Sequence, residues 1–480
     1  LILGTVFGDY QTGYEFGLMG YKLSELLQNQ GQKCRASLLF SSWLHSWSKP
    51  IAGASQIALA GYQAGLESGE LQFAGYNLFC RASVLYFKGK KLDEILEQIR
   101  DWLPFVEKTQ NQLAQEVLWA VQFAVFNLLG ENQTQPKFQS PFSLGVYHTY
   151  QGQTLYLLNQ PEAALKHIRE AENLAPASVG FVTSGEYHFY APLIFLESWK
   201  NIRDNREAQD WQIIENHLQQ LKTWTDSCSE NFRHKYLLVQ AEIARFNHDF
   251  INAMENYDRA IAGAKENGYT QEEALANELA AKFYLDWGKE KLAQSYMIEA
   301  YYCYFRWGAK AKIADLEKRY PQLLTPILQQ KNLEITNQGT IAATGTLTSS
   351  SSGKNVLLDF ASVMKAAQAI SSEIELEKLL ATLMEIVIAN AGAQTGSLIL
   401  HKEEQWLVVA RANQERTEVL EIPLDECQEL PQSLIYSVAR SQEIGVFDNL
   451  SNSPQLAGDR YIITHQPKSV LCTPISKQGK

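Results

Sequence analysis

Six cysteines and nine histidines are the side chains best suited to hold a metal or carry a covalent group in this 480-residue chain. Cys34, Cys80, Cys228, Cys303, Cys427 and Cys472 stand singly, and no two form a CxxC pair. A zinc site or a disulfide framework needs closer, recurring spacing, so the thiols read as reduced side chains buried as small hydrophobes. His45, His148, His167, His188, His217, His234 and His248 are scattered through helical segments without HExxH or comparable ligand spacing. They read as surface or internally satisfied residues. Acidic neighbours such as Asp425 and Glu429 read as a solvated face. Phosphoryl transfer needs a phosphate cradle, yet the chain has no GxxxxGK[ST] loop, no Gly-rich kinase loop and no H-R-D or D-F-G set. No catalytic residue and no metal ligand is assigned, cofactor-binding residues are unknown, and the chain by itself is not expected to be an enzyme.

The elements that position these residues follow from composition and periodicity. The net charge is −11 and the pI about 5.5, with no basic run, which argues against nucleic acid as a partner. Hydrophobic residues make up 45% and charged residues 20%, the balance of a water-soluble protein. No apolar run reaches the ~18 residues of a membrane span, so a cytoplasmic location is expected. A chain this long exceeds one core, so two or more domains are expected. It begins at Leu1 and stops soon after the strand-like "SVLCTPI". Both ends read as cut from a longer protein.

Residues 1–325 carry helical periodicity almost throughout, with Ala, Leu, Gln and Glu prominent and short Gly, Asn or Pro breaks. "YHTYQGQTLYLLNQPEAALKHIREAENLAP" (147–176) reads as a degenerate tetratricopeptide-like unit. Gly152 allows close helix approach and Leu155 takes a large apolar position. Ala164, Ile168 and Ala171 form the packing face, and Pro176 closes the unit. The pattern returns as Ala253, Tyr257, Ala260 and, 40 residues later, as Ala293, Met297, Ala300. "GYQAGLESGEL" suggests a further pair near Gly61. The expectation is a tetratricopeptide-like α-solenoid, an extended superhelix offering a concave surface to protein partners. Tyr301, Tyr302, Tyr304, Phe305 and Trp307 read as core filler. Ile313, Leu316 and Tyr320 continue the stripe on a closing helix, with Lys310, Lys312, Glu317 and Lys318 facing water.

Residues 326–355 read as a flexible linker; "NQGTIAATGTLTSSSSGK" lacks the large apolar side chains that offset ordering entropy. Residues 356–392 read as a signalling helix followed by a second helix whose start is marked by Ser372 and Glu375 at capping-box spacing. The narrow seam of the first suits pairing with a second copy, a homodimer through 356–390. From Gln394 the period becomes strand-like. "GSLILH" and "QWLVVARA" form a hairpin, "TEVLEIPL" a third strand and "PQSLIYSVARSQ" a helix. "IGVFDNL" and "SVLCTPI" are strands separated by a short helix near "AGDRYIITH". The predicted fold class is mostly α: helical repeats, a linker, then a truncated α+β domain over 393–480 whose element order is that of a GAF-type sensory domain.

The stretches "LDFASVMKAAQAISSEIELEKLLATLMEIVIANAGAQTGSLIL" (358–400) and "YYCYFRWGAKAKIADLEKRYPQLL" (301–324) resemble large cyanobacterial-type multidomain signalling kinases. That family joins a serine/threonine kinase, an AAA-like ATPase, helical repeats, a GAF domain and a histidine kinase. The resemblance implies a regulatory segment between ATPase and histidine kinase, with the kinase motifs outside this chain. It also implies a possible small-molecule ligand in the GAF domain. Some GAF domains attach a bilin through Cys, but Cys472 sits inside an apolar strand and Cys427 near a loop, and neither precedes a His as the commoner attachment pattern would have it. Two other readings stay open: a scaffold whose GAF-type domain only dimerises, and an enzyme whose active site no motif reveals.

Overall fold

The computed structural model describes residues 2–131, 133–199 and 208–328, then 393–474 apart from 403–404, 414–416, 428, 442–443, 448–458 and 466, together with Leu380, Met384 and Ile388. It divides into two units, Leu1–Thr344 and Gly345–Lys480. The expected linker and, but for those three residues, the helices expected over 356–392 lie outside the described residues.

The first unit is helical among its described residues. In chain order it contains α1 (Ile2–Thr5), α2 (Tyr10–Leu26), α3 (Gln30–Leu39), α4 (Ala52–Ser68), α5 (Leu71–Phe87), α6 (Leu92–Lys108), α7 (Gln112–Leu129) and α8 (Pro141–Leu157). It continues with α9 (Pro161–Leu174), α10 (Thr183–Trp199), α11 (Ala208–Ser227), α12 (Ser229–Phe246), α13 (Phe250–Glu266), α14 (Thr270–Asp286), α15 (Glu290–Trp307) and α16 (Lys310–Arg319). Local chemistry sets the ends. The side chains of Asp9, Asn29, Asn111, Ser140 and Asp249 each accept a first-turn backbone N–H, satisfying donors that a helix leaves bare. Several links are only two or three residues long, and Gln28, Gln110, Asn159 and His248 turn them with positive φ. Such short links make chain neighbours antiparallel.

Small residues then set how closely the helices approach. Ala164, Ile168 and Ala171, then Ala253, Tyr257 and Ala260, then Ala293, Met297 and Ala300 are all buried, on the faces their spacing predicts. A Cβ on Gly152 would lie 2.7 Å from Ile168 Cδ1, so glycine is what lets α8 meet α9. Leu155 is only half-buried, while Tyr156 and Leu157 beside it are buried. Tyr301, Tyr302, Tyr304 and Trp307 are buried as core filler.

Some helices of the array also pack beyond their chain neighbours. Helices α5, α8, α10 and α14 are buried nearly all round, the mark of helices inside a core. Besides its chain neighbours, α10 packs on α5, α8 and α12, and α7 packs on α16. Hydrogen bonds join distant segments: Trp47 Nε1 donates to Gly180 O at 3.0 Å, and Gln271 Nε2 donates to Phe87 O at 2.8 Å. These inner helices bury polar as well as apolar side chains, Glu272 and Glu278 of α14 among them.

The expectation that Lys312 faces water needs correction. It is 1% exposed and donates to Glu278 Oε1 at 2.8 Å. The α14 carboxylate is buried under α16, and a buried anion draws a cation in. Glu317 is half-buried and accepts from Tyr301 OH at 2.7 Å.

In the second unit, β1 (Thr395–Lys402), β2 (Gln405–Asn413) and β3 (Thr417–Pro423) form an antiparallel sheet in chain order. A 3-10 turn, Leu424–Glu426, leads to α17 (Gln432–Ser441). After it, β4 (Gly445–Phe447) pairs antiparallel with β5 (Val470–Cys472), and α18 (Arg460–His465) lies between them in sequence. Met384 and Ile388 pack with Ala410 and Ala412, whereas Val408 packs with Leu424, Cys427 and Ile435. Register shifts between Leu398 and Ile399 and between Val408 and Ala410 mark where the strands pass from one cluster to the other.

Candidate functional site

The thiols that carry the sequence-based site question meet in one core. Cys427 follows the 3-10 turn and is 6% exposed, and Cys472 is half-buried in β5. Both pack into the cluster of Val408, Leu424 and Ile435. Arg411 Nη2 donates to Cys427 Sγ at 2.9 Å while Arg411 Nη1 pairs with Glu429. Burial pushes the Cys472 thiol up. In the helical unit, burial raises Cys34 to about 11 and Cys228 to about 12. Such thiols stay protonated and unreactive. Asp425 is exposed and accepts from Tyr436 OH at 2.6 Å.

The helical unit brings four of the dispersed histidines into two pairs. His148 on α8 faces His167 on α9, Nδ1 to Nδ1, at 2.9 Å. His188 on α10 faces His217 on α11 in the same way, also at 2.9 Å. A tyrosine ring stands edge-on to both members of each pair, Tyr147 in one and Tyr187 in the other. Between facing nitrogens one ring donates and the other accepts, so each pair is satisfied when neutral. Burial lowers all four; His167, also depressed by His148, and His217 each fall to about 4. Among the described residues no three His, Cys, Asp or Glu side chains are grouped to hold a metal.

Deeper in the same unit lies a buried ionic group. Lys235 Nζ on α12 donates to Glu186 Oε1 on α10 at 2.8 Å and also to Glu272 on α14. Glu272 pairs in addition with His234. The Lys235 ammonium lies 4.4 Å from the Phe87 ring centre and 4.6 Å from that of Phe189, close enough for cation–π attraction. Burial alone would lower Lys235, but the two carboxylates outweigh it and keep it charged. Burial raises Glu186; Glu272, facing Lys235 and His234, is lowered. Two further groups repeat the theme. Burial would raise Glu278, but Lys282 and Lys312 hold it at about 2, and Tyr257 and Arg245 both bond Glu242. Chemically, these groups tie neighbouring helices together through buried ion pairs and hydrogen bonds.

A cavity of about 130 Å³ opens beside the second histidine pair. The rings of Tyr10, Trp47, Tyr187 and Trp224 wall it, with His188 and Gln220 among its polar lining, and no lining residue is Asp, Glu, Lys or Arg. Trp224 Nε1 donates to Tyr10 OH at 2.9 Å. Such a space suits a small neutral guest or several waters. Sequence reading missed both the pairs and the cavity. One signal was present: Tyr147-His148 and Tyr187-His188 are the same dipeptide 40 residues apart, the spacing of the alanine repeats.

No protein-family model matches the chain. It is similar to "Hybrid signal transduction histidine kinase G" of Dictyostelium discoideum, 30% identical over 107 residues, which are 22% of this chain and 3% of that protein. It is similar also to "Peroxide stress-activated histidine kinase mak3" of Schizosaccharomyces pombe, 26% identical over 123 residues, 25% of this chain and 5% of that protein. The chain thus spans only a small part of the curated relatives it matches. Both partial matches are to histidine kinases of signal transduction or stress response. No described helix is long and apolar enough to cross a membrane.

Proposed function

We propose that this chain is a regulatory segment of a multidomain signal-transduction kinase. Its first unit is a tetratricopeptide-like helical-repeat module for protein interaction, and its second a GAF-type sensory module acting on a histidine kinase. One observation carries the reading: a chain without phosphate-binding or kinase motifs shares about a quarter of its length with two histidine kinases. The alanine faces of α9, α13 and α15 support the repeat assignment. The order hairpin, strand, helix, strand, short helix, strand supports the sensory one. A ligand or partner can then act only by binding two arrangements of the segment with different affinity.

The test has two arms. The purified chain with radiolabelled ATP acquires no phosphohistidine, and the reading frame that encodes it contains a phosphoacceptor helix and nucleotide-binding motifs. In that full-length product, disrupting the core of the second unit with Val438→Asp shifts autophosphorylation severalfold. An unchanged rate, with the first unit's helical signal intact and the second unit's lost, refutes the regulatory role.

A further inference from the structure

Helix α2 has two faces of different fate. Tyr10, Gly13 and Ser24 are buried against the unit, and a Cβ on Gly17 would lie 2.5 Å from Leu44 Cδ1. The opposite face is apolar and bare: Phe16 and Met19 are each 59% exposed, Leu23 52% and Leu26 81%. Spacings of three, four and three residues keep these four on one side of a helix. Packed beside it, α1 and the turn after it add exposed Ile2, Val6 and Phe7. Contiguous exposed apolar surface of this kind marks an interface.

The charges beside the stripe say what covers it. Exposed Glu15 and Lys22 lie on the same edge of the stripe, Glu15 before Met19 and Lys22 after it. On a 3.6-residue turn they sit roughly 40° and 60° to one side of Met19, while Leu23 and Phe16 sit roughly 40° and 60° to the other. A two-fold axis through an antiparallel helix pair brings like edges together in reversed order. Glu15 of one copy then faces Lys22 of the other, and the pairing occurs twice. A parallel pair would set this charged edge against the edge of Gly20 and Leu27, leaving neither charge an opposite charge across the seam.

We propose that α2 pairs antiparallel with α2 of a second copy, about a two-fold axis near Met19. The interface is isologous. Phe16 packs beside Leu23 of the other chain, Met19 meets Met19, and Leu26 reaches toward Thr12.

The test is the mass of the full 480-residue chain in solution, by sedimentation equilibrium and light scattering from low to high micromolar concentration. The expected result is a two-chain species that dissociates on dilution. Met19→Glu abolishes it without changing the thermal melt, since the side chain is exposed. Glu15→Lys and Lys22→Glu each weaken it severalfold and reverse its salt dependence, since added salt screens the like-charge repulsion they create, and the double swap restores it. Met19→Cys gives an inter-chain disulfide under mild oxidation. A single-chain mass at every concentration overturns the proposal, as it would if another segment of the chain or a different protein covered the stripe. A dimer indifferent to Met19→Glu also overturns it, because that dimer forms elsewhere. Failure of the double swap to restore pairing overturns the antiparallel register.

Discussion

Asn231, 1% exposed, uses its whole side-chain amide. Its Nδ2 donates to Ser46 O at 2.7 Å and Lys49 O at 2.9 Å, and its Oδ1 accepts from Ile51 N at 3.0 Å and Tyr269 OH at 2.7 Å. Replacement by Leu is nearly isosteric but strands four polar groups, three of them buried. At about 1–3 kcal/mol for each group left unsatisfied, partly relieved by relaxation, Asn231→Leu should destabilise the helical unit by about 3 kcal/mol or more. Urea denaturation followed by helix signal measures this. Lys235 is a sharper case, because its loss leaves the buried Glu186 and Glu272 carboxylates without their shared cation. Lys235→Met should cost about 3–5 kcal/mol, whereas adding Glu186→Leu and Glu272→Leu should recover a good part of it. Equal destabilisation in the single and triple variants would show that the ionic group is not a unit.

At the scale of helices, the decisive quantity is how near two backbones come. Glycine in mid-helix gives up about 1 kcal/mol of propensity relative to alanine, so Gly→Ala ought to help unless something stands in the way. At Gly152 the obstacle is the outer end of Ile168, with Cδ1 at 2.7 Å and Cγ1 at 2.8 Å from the new methyl. At Gly61 the obstacles are Asn77 Oδ1 at 2.4 Å and Ser37 Cβ at 2.5 Å. Asn77 is held by bonds to the Cys34 and Phe73 carbonyls. Gly61→Ala should therefore cost about 1–3 kcal/mol, and Gly152→Ala less. Ile168→Val should relieve the Gly152→Ala variant in a double-mutant cycle. The same distinction explains how much was legible in the sequence. Outer helices such as α9 and α13 are amphipathic, so Ala164, Ile168, Ala253 and Tyr257 could be placed from spacing alone. The strands could be placed from alternation. Inner helices have no polar face to read. In α14, "TQEEALANELAAKFYLD", Glu272 and Glu278 look solvated but are each 1% exposed. Their partners Lys235 and Lys312 come from other helices, and no local pattern announces them. The histidine pairs were hidden for the same reason, each being split between two helices.

For the whole molecule, net charge and buried histidines make opposite predictions about acid. The chain carries −11 at neutral pH and has a pI of about 5.5. Bulk repulsion therefore weakens as pH falls toward that point, which alone would stabilise the folded state. Burial depresses His45, His148, His167, His188, His217 and His234. A histidine with a depressed folded pKa is neutral in both states above about 6.5, so it costs nothing at neutral pH. Below that, the unfolded chain takes up protons first, and stability is lost down to the folded value, about 4 for His167 and His217. Complete loss of the His217 contribution amounts to about 3 kcal/mol at 1.36 kcal/mol per unit; the half-exposed His167 contributes less because solvent screens it. Glu186, raised by burial, opposes the trend, since its extra proton in the folded state favours folding as pH falls. Glu278, held at about 2, adds to the loss only below about 4.5. Six histidines against one carboxyl decide the sign. Unfolding free energy of the helical unit, measured in urea at pH 7, 5.5 and 4.5, should fall steadily across the range. Replacing the pair with His188→Phe and His217→Leu should flatten that slope by several kcal/mol over the same interval. A stability that rises toward the pI in the parent protein would mean that bulk charge, rather than the paired imidazoles, governs its response to acid.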